Sequence, residues 1–244
     1  MGLANLASVL ILSLDTTTRG GSAAVLDDDR VLAVVEGDAT RTHGERLPSE
    51  LQRALSEAGC ALPDVDLLAV AAGPGAFTGL RIGMATMQGL ALATGRPVVG
   101  VSGLDALALT AFEELQVAAA RIGCWVDAAR GEVFGGLFDV TRSGTAPSLT
   151  LLSGPEVGEP AVLWSDWRAL GNGPIVIIGD AVARSATYLS DALRVLPHPL
   201  LAPAVGRLAR QAALTGAPQS PHDLQPLYVR RPDVERLGSD PPPT

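Results

Sequence analysis

The 244 residues suffice for one substantial core or two small ones, and 47% hydrophobic against 18% charged residues excludes a disordered chain. A formal charge of −8 opposes approach to a phosphate backbone, so strong nucleic-acid binding by this chain alone is not expected. All 18 basic residues are Arg, and the lack of Lys excludes a catalytic lysine, a Schiff base and a phosphate-loop lysine.

The apolar opening, Met1 to Leu12, has no basic region and runs on into a strand-like segment. It is therefore not expected to be a signal peptide, and no other stretch reaches membrane-spanning length. Cys60 and Cys124 lie far apart without CxxC spacing and are expected to be reduced and structural, as in a cytoplasmic protein.

Three short apolar runs, Leu10–Leu14, Ser22–Leu26 and Val31–Val35, predict an antiparallel start to a sheet, with Asp27, Asp28 and Asp29 in the second turn. The first run ends in Asp15-Thr16-Thr17-Thr18. Leu47, Leu51, Leu55, Ala54 and Ala58 then share a helical face, with Gly59 as its stop. Leu67–Ala71 predicts a strand, Leu80 to about Thr94 a helix and Pro97–Val101 another strand, so the pairing is expected to become parallel. Further on, the pattern predicts a helix over Leu104–Ala120, strands over Ile122–Val126 and Val133–Val140, and a polar loop over Thr141–Ser148. A buried strand at Ile175–Ile178, a closing helix at Leu201–Leu214 and an extended Pro-rich tail from Gln225 to Thr244 complete the chain. Domain boundaries follow at residues 1–101 with about 201–217, at 102–200, and at the tail.

The most informative string is Gly73-Pro74-Gly75-Ala76-Phe77-Thr78-Gly79-Leu80-Arg81-Ile82-Gly83, a forced turn between strand and helix. Thr78 is placed to cap that helix. A glycine-rich turn at a helix N-terminus can hold an anion, but neither a Walker loop nor G-x-G-x-x-G is present. From Ile82 to Thr94 the helix carries no charge. Leu80, Met84, Met87 and Ala91 form one apolar stripe, while Ile82, Ala85, Gly89 and Leu92 lie elsewhere around it. Either the chain's own second layer or a partner's helix must cover them, and Gly83 and Gly89 suit the close approach of another backbone.

The glycine string resembles the GPGSFTGLRIG signature of the TsaB (YeaZ) family, with Ala76 in place of Ser. Leu14-Asp15-Thr16-Thr17 resembles that family's IDTS, and His43-Gly44-Glu45 its HSE, with Gly44 departing. Val126 to Phe134 resembles VDARRGEVY, and Pro226 to Arg230 the closing PxYLR, so the likeness extends over nearly the whole chain. It implies an α/β fold of two actin-like (ASKHA, ribonuclease H-like) subdomains, each a mixed sheet with flanking helices. The function it implies is that of a non-catalytic subunit in bacterial tRNA threonylcarbamoyladenosine synthesis. Such a subunit would dimerise with and activate the transferase TsaD, with the ATPase TsaE joining and tRNA reached indirectly, or would form a homodimer when alone. The resemblance also places the partner face on two helices, carried here by Leu51, Leu55, Arg81, Met84, Met87 and Gln88. Gly73, Pro74, Gly75, Phe77, Thr78, Gly79 and Gly83 are its structural signature, and Asp15, Thr16 and Thr17 a vestigial nucleotide loop.

No cofactor is expected on this chain itself, although ATP or ADP could bind at the complex. His43, His198 and His222 have no i,i+4 spacing, so no helix-borne metal pair is expected. There is no G-x-S-x-G elbow, which leaves a peptidase unsupported. The rival reading is a small actin-fold ATPase or phosphotransferase using Asp15 and the glycine-rich loop. It is weakened because Asp27-Asp28-Asp29 gives no second phosphate loop and Gly179-Asp180-Ala181 lacks a Gly-Gly pair. Arg130 and Glu132 read as a solvated charge pair. Arg230 and Arg231 would contact TsaD or tRNA phosphate, or lie in a flexible tail.

Overall fold

The computed structural model describes residues 8–143, 146–171, 173–189, 191–192, 194–216 and 220–230. Arg231, the rest of the tail and the first seven residues lie outside the described residues.

Two five-stranded sheets repeat one topology. In the first, β1 (Leu10–Asp15), β2 (Ser22–Asp27) and β3 (Arg30–Glu36) form an antiparallel meander, and β4 (Leu67–Gly73) and β5 (Val98–Ser102) add in parallel beyond β1. In the second, β6 (Ala119–Asp127), β7 (Val133–Ser143) and β8 (Ala146–Gly158) form the meander, and β9 (Ile175–Ile178) and β10 (Arg194–Leu196) add in parallel beyond β6. The orders 3-2-1-4-5 and 8-7-6-9-10 are the same order. This is the pair of actin-like subdomains that the resemblance implied.

Helices α1 (His43–Glu57) and α2 (Phe77–Thr94) cover one face of the first sheet. The amphipathic α1 begins with Glu45 accepting from the Thr42 N–H (3.0 Å) and hydroxyl (2.8 Å), which ties down the helix start. Helix α2 ends at Gly95, which sits in the left-handed region at φ 67°. Helix α3 (Gly103–Leu115) is apolar on nearly all sides because it lies between the two sheets. Leu104, Leu107 and Phe112 join a core that includes Ile11 and Leu67 of one sheet and Ile122 and Val176 of the other. Helix α4 (Pro160–Ala169) packs Trp164 and Trp167 on the outer side of the second sheet. Helix α5 (Ala202–Leu214) returns to the first sheet, where Ser13 Oγ donates to Ala202 O (2.7 Å) and Ala202 N–H donates to Ser22 Oγ (3.0 Å).

Three local expectations fail for identifiable reasons. The helix over Leu104–Ala120 stops at Leu115, where Gln116 takes a positive φ of 51°, and Ala119 and Ala120 open β6. Of the polar segment, residues 141–143 extend β7 and 146–148 open β8, with Thr141 paired to Ser148, so cross-strand pairing outweighs local polarity. Thr78 does not cap α2, because the helix begins two residues earlier than that role requires, with Ala76 at its N-cap.

Candidate functional site: an interdomain cleft and an apolar groove

The chain leaves β1 at Asp15 and turns at once. Asp15 Oδ1 accepts from the Thr17 N–H at 2.8 Å and the Thr17 hydroxyl at 2.6 Å, a turn braced by its own side chain. Burial pushes the Asp15 carboxyl above its ordinary 3.8, against the opposing pull of the Thr17 bonds and of His198 and His43. Arg46 of α1 holds the far side of this loop. It is 1% exposed, donates to Arg19 O (3.1 Å) and to Gly20 O, and pairs with Glu50 at 2.6 Å. Its Nη2 also lies against His43 Nδ1. Glu50 in turn accepts from the Asp38 N–H at 3.1 Å.

The signature glycines let α2 press onto this loop. A Cβ on Gly75 would stand 2.5 Å from Thr17 O, one on Gly79 would overlap Thr16 O, and one on Gly83 would overlap the Thr16 hydroxyl. The close backbone approach expected at Gly83 therefore comes from within the chain. Gly89 differs, since nothing lies within 4 Å of its Cβ position.

The second half repeats the device. Asp127 ends β6 as Asp15 ends β1, and its Oδ1 accepts from the Ala129 N–H at 2.6 Å. Burial opposes the Asp127 carboxylate, but Arg184 (2.5 Å) and the Ala129 N–H together hold its pKa below 3.8. Ala129, Arg130 and Gly131 follow with φ of 60°, 55° and 82°. Two successive non-glycine residues in the left-handed region are costly and need outside support. That support comes from Arg184 donating to Glu132 O (2.9 Å), Asp180 accepting from Asp127 N–H (2.8 Å), and Arg230 donating to Ala128 O (2.8 Å). The counterpart of the Asp15 loop is thus the Asp127 turn, while Asp27–Asp29 is a hairpin tip. A three-strand meander in each half is the signal for this, and it is hidden in the sequence because residues 141–148 are polar and 149–158 carry no clear strand pattern.

These two turns face each other across a cleft of about 670 Å³, floored by Leu80 and Phe134 and flanked by Arg19 and Phe77. The described part of the tail crosses it. Leu227 N–H donates to Ala72 O at 2.7 Å, Tyr228 stacks on Phe77 with ring centroids 5.5 Å apart, and Arg230 pairs with Glu132. Glu132 and Arg230 are therefore partners of one another. In place of the flexible tail expected there, Arg230 is bound to the second subdomain.

A second depression of about 750 Å³ lies between α1 and α2, lined by Pro48, Leu51, Leu55, Cys60, Ala85 and Gly89 among others. Of the residues assigned to a partner face, Leu51 and Leu55 line this groove. Met84 and Met87 do not, being 2% and 0% exposed beneath α2 against the first sheet, because the stripe they form is the one the core consumes. Gln88 donates to Pro221 O (2.8 Å) and Arg81 Nε to the Tyr228 hydroxyl (3.0 Å), so both bind the chain's own tail. The outward face of α2 belongs to Ala85, Gly89 and Leu92. Among the described residues, no group of three or more His, Cys, Asp or Glu could hold a metal ion, and no helix is long and apolar enough to cross a membrane.

Residues 33–146 match the family model for TsaD, tRNA N6-adenosine threonylcarbamoyltransferase. The chain is 34% identical over 167 residues to the tRNA threonylcarbamoyladenosine biosynthesis protein TsaB of Escherichia coli, covering 67% of this chain and 71% of that one. It belongs to the TsaB (YeaZ) family. The Haemophilus influenzae TsaB is 38% identical over 127 residues, about half (52%) of each chain. The structure of YeaZ from Pseudomonas aeruginosa superposes with a TM-score of 0.75 at 30% identity, covering 90% of this chain and 99% of that one. Members of the TsaB family take their name from tRNA threonylcarbamoyladenosine biosynthesis, which is the role the relationship supports here.

Proposed function

We propose that this chain is a non-catalytic subunit of tRNA N6-threonylcarbamoyladenosine synthesis that pairs with and activates a TsaD-type transferase. A TsaE-type ATPase joins the pair in the cytoplasm, and tRNA is engaged through the complex. ATP or ADP belongs to that complex rather than to this chain alone. The observation that carries the reading is the apolar groove between α1 and α2, with the outer face of α2, uncharged from Ala85 to Leu92, beside it. The TsaD match includes both helices, so a TsaD-type partner presents the same pair. Two such pairs pack about a pseudo-two-fold axis, each groove receiving the other's α2. Gly89, with open space at its Cβ position, lets the backbones approach. In the absence of that partner, two copies of this chain satisfy the same geometry and form a homodimer.

The test is reconstitution. With a TsaD-type protein the chain is expected to form a 1:1 complex on size exclusion, and tRNA modification is expected to depend on it. Leu55→Glu and Gly89→Arg should leave the circular dichroism unchanged and abolish pairing. Pairing that survives both changes places the interface elsewhere.

The duplicated Asp15 and Asp127 turns favour the second reading, a small ATPase or phosphotransferase with a site in the cleft. The chemistry of Asp15 weighs against it, since one carboxylate oxygen is taken twice by Thr17 and burial disfavours the anion needed to organise a hydrated cation. Magnesium-dependent ATP turnover by the isolated chain, lost on Asp15→Ala, would decide for the enzyme.

A further inference from the structure

The tail segment meets the rest of the chain at three places of unequal strength. At its near end Leu224 is 2% exposed in the core with Leu12, Leu47 and Met87, and Gln88 donates to both Pro221 O (2.8 Å) and Leu224 O (3.3 Å). In the middle, Leu227 N–H bonds Ala72 O at 2.7 Å, and Tyr228 rests on Phe77, with Arg81 3.9 Å from the Phe77 ring. At the far end Arg230 reaches the opposite subdomain, bonding Ala128 O and the Glu132 carboxylate. A buried leucine is a firm anchor, whereas a partly exposed ion pair and an exposed aromatic stack are weak ones. Phe77 and Tyr228 are 44% and 40% exposed although stacked, and the Glu132 side chain is 37% exposed. Local opening begins where contacts are few and wet.

We propose that residues 221–230 form a releasable strap, hinged at Leu224, that closes the interdomain cleft and lifts from its Arg230 end to open it. The strap supplies Leu227, Tyr228, Val229 and Arg230 to the wall of the cleft. When it lifts, Leu80, Phe134 and the Gly73–Gly75 turn are uncovered together. It also releases Arg230 from Ala128 O, one of the three supports of the left-handed Ala129–Gly131 turn, so that the strap and this turn loosen together. The near end is held by α2 through Gln88, the middle by Phe77 and Arg81 of the same helix, and the far end by the second subdomain, so the strap joins the groove-lining helix to the cleft. The gate itself does not rest on the docking reading, because the isolated chain suffices to test it.

The experiment is hydrogen exchange by mass spectrometry on the full chain, with an apolar dye as the reporter of cleft access. In Arg230→Glu, peptides covering 225–230 and 128–132 should exchange about tenfold faster or more, while peptides of β2 and β4 keep their wild-type rates. Dye fluorescence should rise with them. The charge-exchanged pair Arg230→Glu with Glu132→Arg should slow exchange in 225–230 and lower the dye signal again, but leave 128–132 fast because a carboxylate cannot donate to Ala128 O, and Tyr228→Ala should speed exchange in 225–230 with less effect on 128–132. Unchanged exchange in Arg230→Glu overturns the proposal. So does a uniform rise across β2 and β4, which makes the segment part of the global fold, and so does a charge exchange that restores nothing.

Discussion

Asp15 and Asp127 close equivalent turns in the two halves, each accepting the N–H of the residue two positions on, at 2.8 and 2.6 Å. Their surroundings differ. Asp15 is buried, and its carboxyl is pushed above the ordinary value by that burial. Asp127 sits at the surface, where Arg184 keeps it below. One turn has retained its shape at the cost of a comfortable charge, and the other has found a counter-ion.

A raised acid in the folded state favours folding while it is protonated, and that advantage is lost as pH rises from the unfolded value through the folded one. Asp15→Asn keeps an oxygen for Thr17 and removes the titration. The stability of the wild type relative to Asp15→Asn is therefore expected to fall as pH rises above about 4, measured by urea unfolding. Asp15→Ala, which strands the Thr17 N–H, should cost about 1–3 kcal/mol at neutral pH. A difference between wild type and Asp15→Asn that does not change with pH would contradict the burial argument.

Two glycines of one helix should respond with opposite sign. Gly83→Ala drives a methyl group into the Thr16 side chain and is expected to destabilise by about 1–3 kcal/mol. Gly89→Ala meets open space and should stabilise by up to about 1 kcal/mol through helix propensity. Denaturant midpoints of the two variants decide it.

The ion pairs of α1 make a second contrast. Arg46 and Glu50 have side-chain exposures of 1% and 9%, while Arg53 and Glu57, also four residues apart, have 54% and 51%. Removing one buried partner with Glu50→Ala should cost about 3–5 kcal/mol, because Arg46 is left charged and enclosed. Glu57→Ala should cost about 0.5 kcal/mol or less. Equal losses in thermal unfolding would refute the distinction.

All 3 tryptophans, Trp125, Trp164 and Trp167, belong to the second half and pack together there. Their fluorescence therefore follows that half alone, whereas circular dichroism follows both. Because α3 is shared by the two sheets, the two signals should change at the same urea concentration. Separate transitions would mean that the halves unfold independently.

The first half was readable because its sequence changes period cleanly, from short β runs to the Leu47–Leu51–Leu55 face and back to Leu67–Ala71. The second was less so, since Leu149 to Val157 lies on an edge strand with one wet face and carries no sustained alternation, although Pro160, Leu163, Trp164 and Trp167 at i, i+3, i+4 and i+7 do mark the buried face of α4. The site was half legible. The glycine string located the turn, but which face of α2 is inward depends on where the sheet lies, and so Met84 and Met87 were assigned outward. The contacts of Arg46 with the Asp15 loop and of Arg230 with Glu132 span 26 and 98 positions, beyond any local pattern.

The two cysteines occupy opposite chemical worlds. Cys124 is enclosed between the sheets, and burial pushes its thiol well above the ordinary range, whereas Cys60 is half-buried at the rim of the α1–α2 groove, where partial burial and Asp64 raise its thiol less and reagent can reach it. A maleimide at neutral pH should thus label the native chain once, at Cys60. With no lysine to compete for reagent, the unaltered protein carries a built-in attachment point for a reporter beside the surface where a second polypeptide would sit.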